Sequence, residues 1–102
     1  MELRKEKRIV GIKNIVLIDE KKKFPVTLTN ISTKGLSVMS QFVFPTFKEI
    51  EVEMTINEEF FKVSASIRWV NENLGKTKPN FHEIGISLIN PPKEYLALLS
   101  EL

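Results

Sequence analysis

Residues 48 to 56, KEIEVEMTI, set Ile50, Val52, Met54 and Ile56 in strict alternation with Glu49, Glu51, Glu53 and Thr55. Successive side chains leave a pleated strand on opposite sides, so this period of two predicts a strand with one buried and one wet face. The NEE that follows (57 to 59) turns the chain into FFKVSASIRWV (60 to 70). There the alternation predicts Phe61, Val63, Ala65, Ile67 and Trp69 inward, and Lys62, Ser64, Ser66 and Arg68 outward. Two such runs joined by a short polar turn read as a β-hairpin.

Strand signals extend over most of the chain. IKNIVLI (12 to 18) is rich in β-branched residues and stops at DEKKK (19 to 23), read as a solvated turn or loop. FPVTLTNI (24 to 31) carries its proline near the start, where a strand tolerates one. GLSVMS (35 to 40) is a short third strand, and FHEIGISLI (81 to 89) follows the polar loop NENLGKTKPN with Ile84, Ile86 and Leu88 alternating inward. The period changes at the tail, where Tyr95, Leu98, Leu99 and Leu102 follow helical spacing after Asn90-Pro91-Pro92. A helix of roughly ten residues is marginal alone and must lay its apolar stripe on the sheet. The rings of Phe42, Phe44 and Phe47 in QFVFPTF are expected to close one end of the core.

The fold class expected is all-β with one helix: six antiparallel strands closed into a small barrel over residues 12–89, and a C-terminal helix over 91–102. With 102 residues, 42% of them hydrophobic, the chain suits a single domain, 1–102. Net charge is only +2, but it is unevenly spread. Residues 1 to 23 hold eight Lys/Arg against four Asp/Glu, and residues 24 to 102 hold seven against nine. The whole is too weakly basic to predict a DNA partner, and no apolar run is long enough for a signal peptide or a membrane span. A cytoplasmic location without membrane insertion is expected.

Catalytic constellations are missing from the sequence. There is no cysteine and one histidine, His82, so neither a catalytic residue nor a metal site is predicted. Glu49, Glu51 and Glu53 are the solvated face of their strand. Two other segments are more informative. The N-terminal arm, 1–11, carries Arg4 and Arg8 in RKEKR, which alone reads as a solvated tail. NISTKG (30 to 35) alone reads as an Asx or Ser turn closed by a glycine at positive φ.

Taken jointly, R-x-x-x-R and, 22 residues on, N-x-S-x-x-G followed by Leu36 resemble the PilZ domain, a bacterial receptor family for cyclic di-GMP. The SIRWV and EIGISL segments also resemble the family's last two strands, so the resemblance covers nearly the whole chain. It implies the six-stranded barrel with a C-terminal helix, no cofactor, and cyclic di-GMP as ligand, bound by Arg4, Arg8, Asn30, Ser32 and Gly35. Aspartate is commoner in the family at the Asn30 position, and phenylalanine at that of Leu88. An apolar residue at Leu3 goes, in the family, with one nucleotide per chain.

The residue types suit that ligand. Arginine's fork bonds a phosphate or the O6/N7 edge of guanine, and its flat face stacks on a purine. Asn30 offers an acceptor to guanine N1 or N2 donors, a weaker one than a carboxylate. Ser32 donates or pins the turn; Gly35 permits a backbone conformation and a close approach that a Cβ would obstruct. The arm is expected to be loose without ligand and to fold across the barrel when nucleotide bridges arm and turn. Such a receptor acts through an unidentified downstream protein, in motility, attachment or exopolysaccharide control. The alternatives are a PilZ-like adaptor that binds no nucleotide, and a small barrel binding single-stranded nucleic acid.

Overall fold

The structure is a computed structural model that describes residues 11–71 and 81–101. In chain order its elements are β1 (Ile12–Asp19), β2 (Lys22–Pro25), β3 (Thr27–Ile31), β4 (Gly35–Ser40), β5 (Glu49–Ile56), β6 (Glu59–Asn71), β7 (His82–Leu88) and α1 (Lys93–Glu101). The alternation in β5 is obeyed: Ile50, Val52, Met54 and Ile56 are at most 5% exposed. Its outward carboxylates face solvent and lysines, with Glu51 3.7 Å from Lys62 and Glu53 3.7 Å from Lys23. Two hairpins set the register. Glu20 and Lys21 between β1 and β2, and Asn57 and Glu58 between β5 and β6, all have positive φ, the backbone a two-residue hairpin turn requires.

One element departs from expectation. The stretch read as a single strand over 24 to 31 is two strands, so the sheet has seven rather than six, and Lys22 and Lys23 belong to β2 rather than to a loop. Val26 is where the chain changes partner. Up to Pro25 it pairs with β1, and from Thr27 it pairs with β4. Proline has no N–H for a ladder and fits at the end of an edge strand, which is where the switch falls.

That corner determines the shape of the sheet. Strand order is β2-β1-β5-β6-β7-β4-β3, all antiparallel, with β2 and β3 at opposite edges. Laid flat, edges six strand spacings apart would be separated by about 29 Å. The single residue joining them spans only about 3.5 Å. The sheet must therefore roll up, and the Val26 N–H donates to the Ile15 carbonyl of β1 at 3.1 Å where the edges meet. Edge strands are covered by the roll rather than by another chain.

The interior of the roll is the core, with Leu17, Val38, Val52, Met54, Ile56, Ala65, Ile67 and Ile84 all at 0% exposure. Helix α1 closes it. Pro92 precedes the helix and its carbonyl accepts the Tyr95 and Leu96 N–H groups at 3.0 and 3.2 Å, so the prolines lie just ahead of the helix rather than within it. Tyr95 and Leu99 are buried, and the Tyr95 ring meets Phe61 edge-on at 6.1 Å. Of the QFVFPTF rings only Phe44 is core; Phe42 leans on Phe24 and is partly exposed, and Phe47 is 70% exposed. No helix among the described residues is long and apolar enough to cross a membrane.

Candidate functional site

The NISTKG turn is built by its own side chains. The Ile31 N–H donates to Asn30 Oδ1 at 2.9 Å, and the Ser32 N–H to the Gly35 carbonyl at 2.8 Å. Ser32 Oγ accepts from the Lys34 N–H at 3.3 Å and donates to the Gly35 carbonyl at 3.4 Å. Two further bonds hold the turn in place: the Leu88 N–H of β7 donates to the Lys34 carbonyl at 2.9 Å, and the Tyr95 hydroxyl of α1 to the Ser32 carbonyl at 3.0 Å. Burial pushes the Tyr95 phenol up to about 12, so its hydroxyl is a donor throughout the physiological range.

Gly35 does not serve the turn in the expected way. None of the described glycines has positive φ. Its missing side chain matters because of close approach: a Cβ here would collide with the Ile86 carbonyl oxygen, with Ser87 Cα 3.3 Å away. Glycine lets β4 lie tightly on β7.

Two β-bulges decide which side chains reach the outer face. In β3, Leu28 pairs with Val38 and Asn30 with Ser37, leaving Thr29 as the extra residue. Leu28 and Ile31 are an odd number of positions apart, so only a bulge lets both point into the core while Asn30 points out. In β6, Ile67 pairs with Ile86 and Trp69 with Gly85, leaving Arg68 as the extra residue. This corrects the expectation for Trp69, which is 46% exposed on the outer face while Val70 takes the inward place against the core.

The ladders then line up one outward row across four strands: Asn30, Ser37, Gly85 and Trp69, each the register partner of the next. The neighbouring row, Ile31, Leu36, Ile86 and Ile67, points inward and is buried. The outward row has a long side chain at each end and almost nothing between. It forms the floor of a concavity of about 230 Å³ lined also by Ser32, Gly35 and Arg68. Three of the five residues expected to bind, Asn30, Ser32 and Gly35, are thus brought together, and the other two, Arg4 and Arg8, lie outside the described residues.

Arg68, Trp69, Ser37 and Gly85 line the concavity as well. The alternation put Arg68 outward and Trp69 inward, and Gly85, between inward Ile84 and Ile86, had to face outward. The rim contributes positive charge, because Arg68 makes no ion pair among the described residues. His82 stands elsewhere on β7, opposite Ser40; its Nδ1 is buried and without a hydrogen-bond partner. Beyond the Val26–Ile15 hydrogen bond, β3 stays in contact with β1.

The fold is shared with known proteins. It is similar to a solved structure described as the PilZ domain with c-di-GMP of YcgR from Escherichia coli, with a TM-score of 0.65 and 11% identity over 84% of this chain and 75% of that one. It is also similar to the Borreliella burgdorferi PlzA protein in complex with c-di-GMP, with a TM-score of 0.66 and 13% identity over 96% of this chain; the chain spans under half, 45%, of that protein. No curated protein sequence matches significantly. The PilZ domain family model matches residues 2–102, nearly the full length. With that match over nearly the whole chain, and with the NISTKG turn and the rolled antiparallel sheet in place, the chain belongs to the PilZ domain family.

Proposed function

We propose that this domain is a receptor for cyclic di-GMP and passes the binding event to a partner protein. The observation that carries the reading is the convergence of Asn30, Ser32 and Gly35 on one outward concavity rimmed by Arg68, in a chain of the PilZ family. Both similar structures hold c-di-GMP, which supports the choice of ligand. Asn30 Oδ1 spends one lone pair on the Ile31 N–H and keeps the other, with its NH₂, for a guanine edge. The Arg68 guanidinium provides donors for phosphate or purine oxygens, and Ser32 Oγ adds one by giving up its 3.4 Å bond to the Gly35 carbonyl. Arg4 and Arg8 supply the remaining cations from the N-terminal arm.

The reading is non-enzymatic: the chain binds and responds. Calorimetric titration with cyclic di-GMP, with cyclic di-AMP and GTP as controls, tests it. A selective response to cyclic di-GMP is expected, and a flat titration with all three overturns the reading. A flat result would favour a nucleotide-free adaptor, for which exposed Phe42, Val43 and Phe47 offer an apolar contact surface.

A further inference from the structure

Strand β4 begins at Gly35, beside the concavity, and ends at Ser40, where the loop QFVFPTF leaves it. At that far end of the barrel the loop turns apolar side chains to solvent: Phe47 is 70% exposed, Val43 50% and Phe42 40%. They are held there by bonds. Ser40 Oγ accepts from the Phe42 N–H at 2.8 Å and donates to the Phe42 carbonyl at 2.9 Å. Phe47 has a φ of 70°, a costly conformation for a bulky side chain. Its N–H donates to the Ile67 carbonyl at 2.6 Å, and the Ile67 N–H returns a bond to the Lys48 carbonyl at 2.9 Å. That strain is not repaid by burial of the ring, which makes the outward phenylalanine a feature that calls for a function.

The β1–β2 turn stands beside the loop and supplies cations. Lys48 Nζ lies 3.5 Å from Asp19 and 3.9 Å from Glu20, which ties the end of the loop to the turn. Lys22 is the register partner of Asp19 and shares a face of β2 with Phe24, whose ring meets those of Phe42 and Phe44 at 4.7 and 5.3 Å. Residues 19–24 and 41–48 hold four lysines against two carboxylates. Lys48 answers Asp19 and Glu20, and Lys23 reaches Glu53 on the outer wall. Lys21 and Lys22 are left without an ion pair among the described residues. This end of the barrel is an apolar tip with a cationic collar.

We propose that this end docks on an anionic lipid surface, with Phe47 and Val43 entering the headgroup boundary and Lys21 and Lys22 meeting lipid phosphates. Composition decides between a bilayer and a protein partner. Phenylalanine with lysine suits a membrane interface, where the lysine stem lies along apolar material and its amine stays among the headgroups. Protein interfaces are depleted in lysine and enriched in arginine, and neither segment has an arginine. The docking is shallow and needs no membrane-crossing helix; none is found among the described residues. With lipid at the Ser40 end of β4, the concavity at the Gly35 end stays open, so the inference does not rest on the receptor reading.

Co-sedimentation of the full chain with lipid vesicles, without nucleotide, tests it. The chain is expected to pellet with vesicles of equal parts phosphatidylcholine and phosphatidylglycerol, to stay in the supernatant with phosphatidylcholine alone, and to be released by salt. Phe47→Asn, whose new side chain accepts positive φ, is expected to weaken vesicle binding about tenfold without lowering the unfolding midpoint. Lys21→Gln combined with Lys22→Gln is expected to weaken it about tenfold or more. A parent that stays in the supernatant with both kinds of vesicle overturns the proposal and leaves the tip to a protein partner. Equal pelleting with both kinds, or parent-like binding by Phe47→Asn or by the lysine pair, overturns it as well. Self-association in sedimentation velocity that Phe47→Asn abolishes, with the vesicles bare, assigns the tip to a second copy and also overturns lipid docking.

Discussion

Gly35→Ala separates the two reasons a glycine can close a turn. If Gly35 were there for chain freedom, alanine at its negative φ would be harmless, and the stiffer unfolded chain would raise stability by about 0.4–1 kcal/mol. The structure predicts the opposite sign. The new Cβ would collide with backbone, the Ile86 carbonyl oxygen, which cannot swing away as a side chain does. Regaining ordinary contact requires β4 and β7 to part by about 1 Å. The Leu88 N–H to Lys34 carbonyl bond, now 2.9 Å, would then exceed the hydrogen-bonding range, and adjoining ladder bonds would stretch with it. Losing on the order of two or three bonds, each worth about 0.5–1.5 kcal/mol net, outweighs the entropic gain and leaves a loss of about 1–3 kcal/mol. For a domain of this size the midpoint of thermal unfolding falls by about 5–20 °C. Circular-dichroism melts of the two proteins measure it. An unchanged or higher midpoint would refute the close-approach argument. Gly85→Ala is the internal control, because there the neighbour is the outer, movable indole, and less than about 1 kcal/mol is expected.

Three other outcomes follow from the site and its supports. Asn30→Asp should tighten cyclic di-GMP binding by about tenfold in calorimetry, because a charge-assisted bond to guanine exceeds a neutral one by about 1–1.5 kcal/mol; equal or weaker binding would remove Asn30 from the base contact. Arg8→Ala should weaken binding by about tenfold or more, and parent affinity would reduce the arginine pair to a charged tail. Tyr95→Phe deletes the bond to the Ser32 carbonyl and should cost about 1 kcal/mol, seen as a midpoint lowered by about 4–8 °C. Tyr95 also governs alkaline behaviour. Its folded-state pKa is raised from 10.0 to about 12, so the unfolded chain ionises first and stability falls as pH climbs through that window. Tyr95→Phe should lack this fall, and since Tyr95 is the single tyrosine, phenolate absorbance in the parent titrates one group; a midpoint near 10 would contradict its burial.

Most of the sheet was legible because hydrophobic alternation reports directly on which face is buried. β5, β4, β7 and the first half of β6 follow it residue by residue. It fails where the ladder inserts a residue. Nothing in SIRWV distinguishes a regular strand, with Trp69 inward, from a bulged one with Trp69 outward, since the choice depends on how Gly85 and the buried Ile86 on β7 are met. The break at Val26 escaped for a related reason: FPVTLTNI is a good strand throughout, and only the roll of the sheet forces its halves onto different partners. Asn30, Ser32 and Gly35 were singled out by resemblance to the PilZ motif, and the structure brings them to one concavity. The reason for the glycine was not legible, because a clash with a carbonyl 51 positions later has no local signature.

Ser32 stands with its two ends on different sides of the wall. Its hydroxyl lines the outer hollow, while its carbonyl accepts a hydrogen bond from the buried phenol on α1. A ligand that engaged the hydroxyl would pull on the same residue whose carbonyl is fastened to the terminal helix. Occupancy of the hollow would then bear on α1 through one residue, without any strand leaving its neighbours.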